Sequence, residues 1–168
     1  MTLETEVQSL RQVPMFRDID PARLKLLAFT SERVQFAEGQ RFFVQGDAAD
    51  AAYVILDGKA DVTLNTPTGE IKVAELGRNA LVGEMGILSD NPRSATITAA
   101  QSTVALRIDK RVFLELLTQF PQMSIAVMRE IATRLEGHHI VPVVWQTGVD
   151  DNESHVEQFQ QRRGGAAR

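Results

Sequence analysis

The chain has 168 residues, 43% hydrophobic and 24% charged, a composition that fits one globular domain with a short appendage and excludes a fully disordered, collagenous or coiled-coil chain. Against 22 Asp plus Glu stand 18 Lys plus Arg, a formal net charge of -4 that argues against bulk attraction to nucleic acid or to an anionic membrane. With 0 Cys, disulfides, thiolate catalysis, iron–sulfur clusters and Cys-based zinc sites are excluded. The apolar runs fall far short of the roughly 20 residues that span a bilayer. The opening Met-Thr-Leu-Glu-Thr-Glu is acidic and unlike a signal peptide, so a soluble, cytoplasmic chain is expected.

Residues 1–31 read as a helical segment. Asp20-Pro21 supplies an N-cap followed by proline at the first helical position, and Leu24, Leu27 and Ala28 fall at the spacing of one buried face. Ahead of them Val13, Met15 and Phe16 surround Pro14 as an apolar clasp. From 32 to 108 the pattern becomes short alternations punctuated by Gly46, Gly58, Gly69 and Gly77, the rhythm of strands and turns. Val62 and Leu64 alternate with Asp61, Thr63 and Asn65, and Val104, Leu106 and Ile108 alternate with Thr103, Ala105 and Arg107. Ile71, Val73 and Leu76 are read as one inward face around Lys72 and Glu75. Asp57-Gly58 and Pro67-Thr68-Gly69 mark turns. Together these predict a mainly β fold with flanking helices, an antiparallel β-roll of jelly-roll type, and not a βαβ fold. The helical period returns over 109–137: Asp109 caps a helix to about Gln119, and Pro121 opens a second with Met123, Val127, Ile131 and Leu135 at steps of four and Gly137 as its stop. Residues 138–168 are expected to form a largely flexible tail.

The chemistry concentrates in 82–99. Gly83 and Gly86 permit close approach of backbone to a ligand, and Glu84 to Leu88 can wind one helical turn whose free N–H groups suit an anion. Arg93, beyond a turn at Pro92, can grip a phosphate with two charge-assisted hydrogen bonds, beside the Ser94 hydroxyl and the small Ala95. A carboxylate beside an anion site makes sense if the ligand also carries hydroxyl donors, as a sugar phosphate does.

In these residues the chain resembles the cyclic nucleotide-binding domain family, the cAMP-receptor and kinase regulatory-subunit group. Gly83-Glu84-Met85-Gly86-Ile87-Leu88 and Pro92-Arg93-Ser94-Ala95 look like its phosphate-binding cassette, here at 82–96. Glu38-Gly39, Gln45-Gly46-Asp47, Tyr53-Val54-Ile55 and Asp57-Gly58 resemble its glycine frame. The resemblance covers about 13–137. It implies that Glu84 meets the ribose 2′-hydroxyl, that Arg93 and Ser94 meet the cyclic phosphate, and that backbone of Gly83 and Met85 lines the site with Val82 and Ala95. It further implies that Val62 and Val73 wall the base, and that the last helix swings over it as a lid carrying Leu135 and His138. Gly137 departs from the longer continuous helix common in the family.

Simpler roles compete with these. A lone arginine usually pairs with a neighbouring acid, alternating valines are core residues by default, and the Met123–Leu135 stripe is first of all a packing face that can extend into a dimer seam. His138 and His139 are adjacent and share no helix face, so they make a poor metal site. Residues 1–137 contain no His, against a cupin-type metalloenzyme or a haem protein, and neither GxSxG nor a P-loop is present. The expectation is a non-enzymatic sensor that binds cAMP without a further cofactor and signals through its C-terminal helices to an effector protein or a homodimer. The alternatives are a cGMP sensor, the sensor part of a DNA-binding regulator, or a degenerate interaction module that binds nothing. The residues after Gly137 are too few for a winged helix-turn-helix.

Overall fold

The computed structural model describes residues 2–136. The tail expected at 138–168, with His138, lies outside them. The chain enters through helix α1 (Leu3–Gln12), where the Thr2 hydroxyl accepts from the Thr5 amide and Glu4 and Glu6 fall in the first turn, at the positive end of the dipole. A short 3-10 turn (Pro14–Phe16) leads to α2 (Pro21–Thr30), capped by Asp20, whose carboxylate accepts from the Ala22 amide at 2.9 Å. Val13, Met15 and Phe16 are buried, as are Leu24, Leu27 and Ala28.

Eight strands follow: β1 (Glu32–Phe36), β2 (Arg41–Phe43), β3 (Ala51–Asp57), β4 (Ala60–Thr66), β5 (Gly69–Leu76), β6 (Leu81–Val82), β7 (Thr96–Ala99) and β8 (Thr103–Asp109). They form two antiparallel sheets, ordered β1-β8-β3-β6 and β2-β7-β4-β5, the expected β-roll. The roll interior is filled from both sheets, by Phe36, Phe42, Tyr53, Ile55, Val62, Val82 and Ile97 among others. β3 is buried on both faces: Ala51, Tyr53 and Ile55 enter the roll, while Ala52, Val54 and Leu56 join a second core with the helices. β8 divides likewise, with Ala105 inside and Leu106 and Ile108 toward the helices.

The β3–β4 turn needs glycine. Gly58 has φ +106°, and a Cβ there would stand 2.4 Å from the Thr103 hydroxyl, whose oxygen accepts from the Lys59 amide. β5 departs from the inward face read over Ile71, Val73 and Leu76. Ile71 is exposed, Val73 half-buried, and Leu76 alone of the three fully buried. A register shift at Val62/Thr63 makes Val73 the extra residue and sets Ile71, opposite Leu64, on the face of Ala74 and Leu76; Ile71 is exposed because burial along β5 fades toward the β4–β5 turn.

Helix α3 (Glu84–Ser89) interrupts the strands between β6 and β7. After β8, Asp109 caps α4 (Lys110–Gln119) by accepting from the Arg111 amide at 2.9 Å. Phe120, extended before a proline, breaks the chain direction before α5 (Pro121–Glu136). Met123 and Val127 of α5 and Phe113 and Leu116 of α4 complete the helical core. No helix among the described residues is long and apolar enough to cross a membrane.

This layering separates two phenylalanines sharply. Phe113, fully buried in the helical core, should cost about 3–5 kcal/mol on replacement by Ala. Phe29, 78% exposed, should change stability by no more than about 0.5 kcal/mol on the same replacement. Urea unfolding of the two variants measures the contrast.

Candidate functional site

The β6 strand delivers the chain to Gly83 at φ +85°, and α3 begins at the next residue. Asp90, in the left-handed region at φ 53°, ends the six-residue helix and turns the chain toward Arg93. The backbone of Arg93 is then zipped to the β2–β3 turn. Its amide donates to the Asp47 carbonyl and its carbonyl accepts from the Gly46 amide, both at 2.8 Å. The Thr96 hydroxyl accepts from the Gln45 amide at 2.9 Å. The Gln45-Gly46-Asp47 segment thus fixes where Arg93 stands.

The Arg93 side chain turns inward and is 3% exposed. Nη1 donates to the Gly83 carbonyl and Nη2 to the Ala51 carbonyl, each at 2.5 Å. The guanidinium carbon lies 4.0 Å from the centre of the Phe43 ring, within cation–π range. Asp50 stands 3.6 Å from Nη2 and, through its other oxygen, 3.3 Å from Arg107, so one exposed carboxylate bridges two arginines. Among the described residues, Nε has no hydrogen-bond partner. Burial pushes the guanidinium below its usual pKa, opposed by the charge of Asp50, yet an arginine stays protonated at any physiological pH.

Beside this group lies a cavity of about 30 Å³, lined by Phe43, Val62, Val82, Gly83, Met85, Gly86, Arg93, Ser94, Ala95 and Ile97. It brings together seven of the residues expected from the sequence: Val62, Val82, Gly83, Met85, Arg93, Ser94 and Ala95. Glu84 opens α3 and is 0% exposed; it is not on the cavity wall, though its charge lies within electrostatic range of Arg93. Val73 packs against the roll core away from the wall. Leu135 falls in α5 and its side chain is outside the described part of the structure, as is His138. Gly86, read from the sequence as a glycine of close approach, is also on the wall, while the sequence reading missed Phe43, Ile97, Asp50 and Ala51. Ile97 was available, since it stands two residues beyond Ala95 at the start of β7 and both enter the roll core. The hydrogen bond to Ala51 and the Asp50 bridge join residues more than 40 apart and leave no local pattern.

The wall of this cavity combines a fixed cation, a hydroxyl and glycine backbone with aliphatic side chains, a set whose chemistry suits a small anion. The sequence profile of the cyclic nucleotide-binding domain matches residues 33–120. The chain is 35% identical over 118 residues to a cAMP-dependent protein kinase regulatory subunit of Dictyostelium discoideum, covering 68% of this chain and 36% of that protein. It is 30% identical over 138 residues to lysophospholipase nte1 of Aspergillus oryzae, covering 82% of this chain and 9% of the enzyme. Among solved structures, the N-terminal domain of a transcriptional regulator from Streptomyces coelicolor A3(2) superposes with a TM-score of 0.64 at 30% identity, covering 80% of this chain and 97% of that one. The chain therefore belongs to the cyclic nucleotide-binding domain family, which is regulatory rather than catalytic. It spans only 9% and 36% of the two curated relatives.

Gly83 tests the packing of the site without any ligand. A Cβ there would lie 2.6 Å from Arg93 Nη1 and 3.0 Å from Phe43 Cε1, at a positive φ that side chains avoid. Gly83→Ala should lower stability by about 1–3 kcal/mol. It should also speed amide exchange at Arg93 and Gly46, read by hydrogen-exchange mass spectrometry or NMR.

Proposed function

We propose that the chain is a sensor that binds cAMP reversibly in the cavity beside Arg93 and passes the signal on through its C-terminal helices, with no catalytic step. One observation carries this reading: a buried arginine whose Nε–H is uncommitted, on a wall shared with Ser94, Gly83 and Met85. A buried donor without an acceptor costs about 1–3 kcal/mol. A cyclic phosphate oxygen supplies the acceptor and the countercharge together. Val62, Val82 and Ile97 suit the apolar faces of the purine and ribose, and this reading assigns the ribose hydroxyl to Glu84, which is buried off the cavity wall and reaches the ligand when the pocket opens. Opening is required, because about 30 Å³ holds roughly one water whereas ligand pockets reach several hundred Å³.

Ser94, exposed at the cavity edge, has a hydroxyl that serves either purine nucleotide, and the cAMP preference rests on the resemblance of the 82–96 segment to the cAMP-receptor group. The relatives divide on the output. A kinase regulatory subunit and the N-terminal domain of a transcriptional regulator are both similar to this chain, so the signal leaves either through a partner protein or second copy, or through a DNA-binding module joined to the domain. Movement is assigned to α4 and α5, where the Gln119-Phe120-Pro121 break provides a hinge.

Calorimetric titration with cAMP and cGMP, on protein freed of co-purified nucleotide, should give saturable heat with cAMP the tighter. No heat and no thermal shift with either overturns the proposal. Arg93→Leu should weaken binding by about 2–5 kcal/mol, on the order of 30- to 5000-fold. It also leaves the Gly83 and Ala51 carbonyls without their donor, so its melting temperature is measured alongside. Arg93→Lys, which keeps the charge but not the planar fork, should weaken binding as well.

Hydrogen exchange should show protection rising at 83–95 and changing at 120–139 on ligand addition. Cutting the chain after Arg134 should weaken binding modestly. A response confined to 83–95, with the cut chain binding as tightly as the whole, refutes the helix mechanism.

A further inference from the structure

Two neighbouring phenylalanines on β2 point into the same aromatic cluster, which a regular strand forbids. Phe42 and Phe43 both contact the Tyr53 ring, at centroid distances of 5.5 and 6.2 Å. In an unbroken ladder successive side chains take opposite faces. Here the register slips: Arg41 faces Thr98 and Phe43 faces Ile97, so two steps along β2 match one along β7. The extra residue is a bulge, a device that re-aims a side chain. Its result is that the Phe43 ring stands over the Arg93 guanidinium at 4.0 Å, and both Arg93 Nη1 and Phe43 Cε1 lie close against Gly83, where no Cβ intervenes.

We infer that Phe43 is the positioning residue for Arg93. The ring, turned inward by the bulge, clamps the guanidinium against Gly83 so that its in-plane edge is held ready for an anion. The inference rests on reading this cavity as the cyclic phosphate site, and adds to it a residue that contacts the binding cation rather than carrying the charge itself. Face stacking and in-plane hydrogen bonding use different parts of a guanidinium, so ring and phosphate are compatible. What the ring supplies is its quadrupole, which an aliphatic side chain of similar bulk lacks.

The test compares Phe43→Leu and Phe43→Tyr with the wild-type full chain, each checked for a cooperative melt. Titration with cAMP should show Phe43→Leu about 3- to 30-fold weaker and Phe43→Tyr near wild type. Adenosine, which has no phosphate, should bind all three alike. In an Arg93→Lys background, Phe43→Leu should cause little further loss, because the stacked plane is already gone. Equal cAMP affinity in wild type and Phe43→Leu, or equal losses for cAMP and adenosine, overturns the inference and leaves the binding site itself standing.

Should the wild type bind neither cAMP nor cGMP, the functional reading falls and the clamp is judged on the Arg93 Nε–H resonance of nitrogen-15-labelled protein. A ring-shifted, slowly exchanging signal in wild type and Phe43→Tyr that is lost in Phe43→Leu upholds the clamp. The same signal in all three removes it.

Discussion

A single buried guanidinium sets the terms for this end of the molecule. An ionised group taken out of water must be compensated by hydrogen bonds and countercharge, and removing one partner of a buried charge typically costs about 3–5 kcal/mol. Arg93 is compensated from three directions: carbonyls of Gly83 and Ala51 in its plane, the Phe43 ring over its face, and Asp50 beyond. Each direction imposes a sequence requirement. Residue 83 must lack a Cβ, β2 must be bulged to present Phe43, and the Gly46–Asp47 turn must hold the Arg93 backbone. The glycines of this segment are consequences of where the arginine goes. Asp50 is the weakest of the partners, since its side chain is 69% exposed and its attraction is screened by solvent.

The same constraint ties the pocket to the rest of the fold. Ala51, which accepts from Arg93, opens β3, the strand buried on both faces. Its neighbour Ala52, with Val54 and Leu56, packs in the core that holds Leu10, Phe16, Leu24, Phe113 and Met123. The pocket wall and the helical layer are therefore one strand apart. Close-packed interiors have little compressibility, so a shift at β3 has few ways to be absorbed. This layering is also why α1 and α2 are integral parts of the domain. Buried Glu6 accepts from Arg33 Nε of β1 at 2.8 Å, adding a polar tie to the apolar packing.

Much of this was legible in the sequence, and the boundary of legibility has a physical form. Asp20 and Asp109 as caps, Gly58 as a turn and the alternation along β8 are local signals, governed by a residue and its near neighbours. The glycine–arginine spacing of 83–95 was legible because backbone geometry there admits few side chains. Failures began where period gave way to register. Val73 reads as a partner of Leu76 on one face until a bulge there puts it out of phase, and Phe43 carries no sequence signal because a bulge in β2 is what aims it at Arg93. A bulge changes no composition and only one residue of phase, so a single sequence carries almost no trace of it. Arg93 stood out in the sequence as a candidate phosphate contact, but its bonds to two carbonyls left no trace there, since those partners come from distant segments.

Net charge was informative in one respect and silent in another. At -4 the chain has no field to gather a polyanion, whose affinity grows with the number of phosphates neutralised by separate cations. A ligand with one phosphate needs only one cation, and what counts is the local dielectric. Exposed carboxylates beyond roughly 8 Å are largely screened at physiological ionic strength. A pair at about 4 Å in partly buried surroundings retains on the order of 4 kcal/mol. Arg93, at 3% exposure, belongs to the second regime; Asp50, 3.6 Å away but 69% exposed, is weakened by solvent, and Asp61 and Glu75 of the β4–β5 hairpin are paired with Lys72. An acidic protein can thus hold an anionic small molecule without contradiction, provided its one relevant cation is buried, oriented and left with a donor to spare.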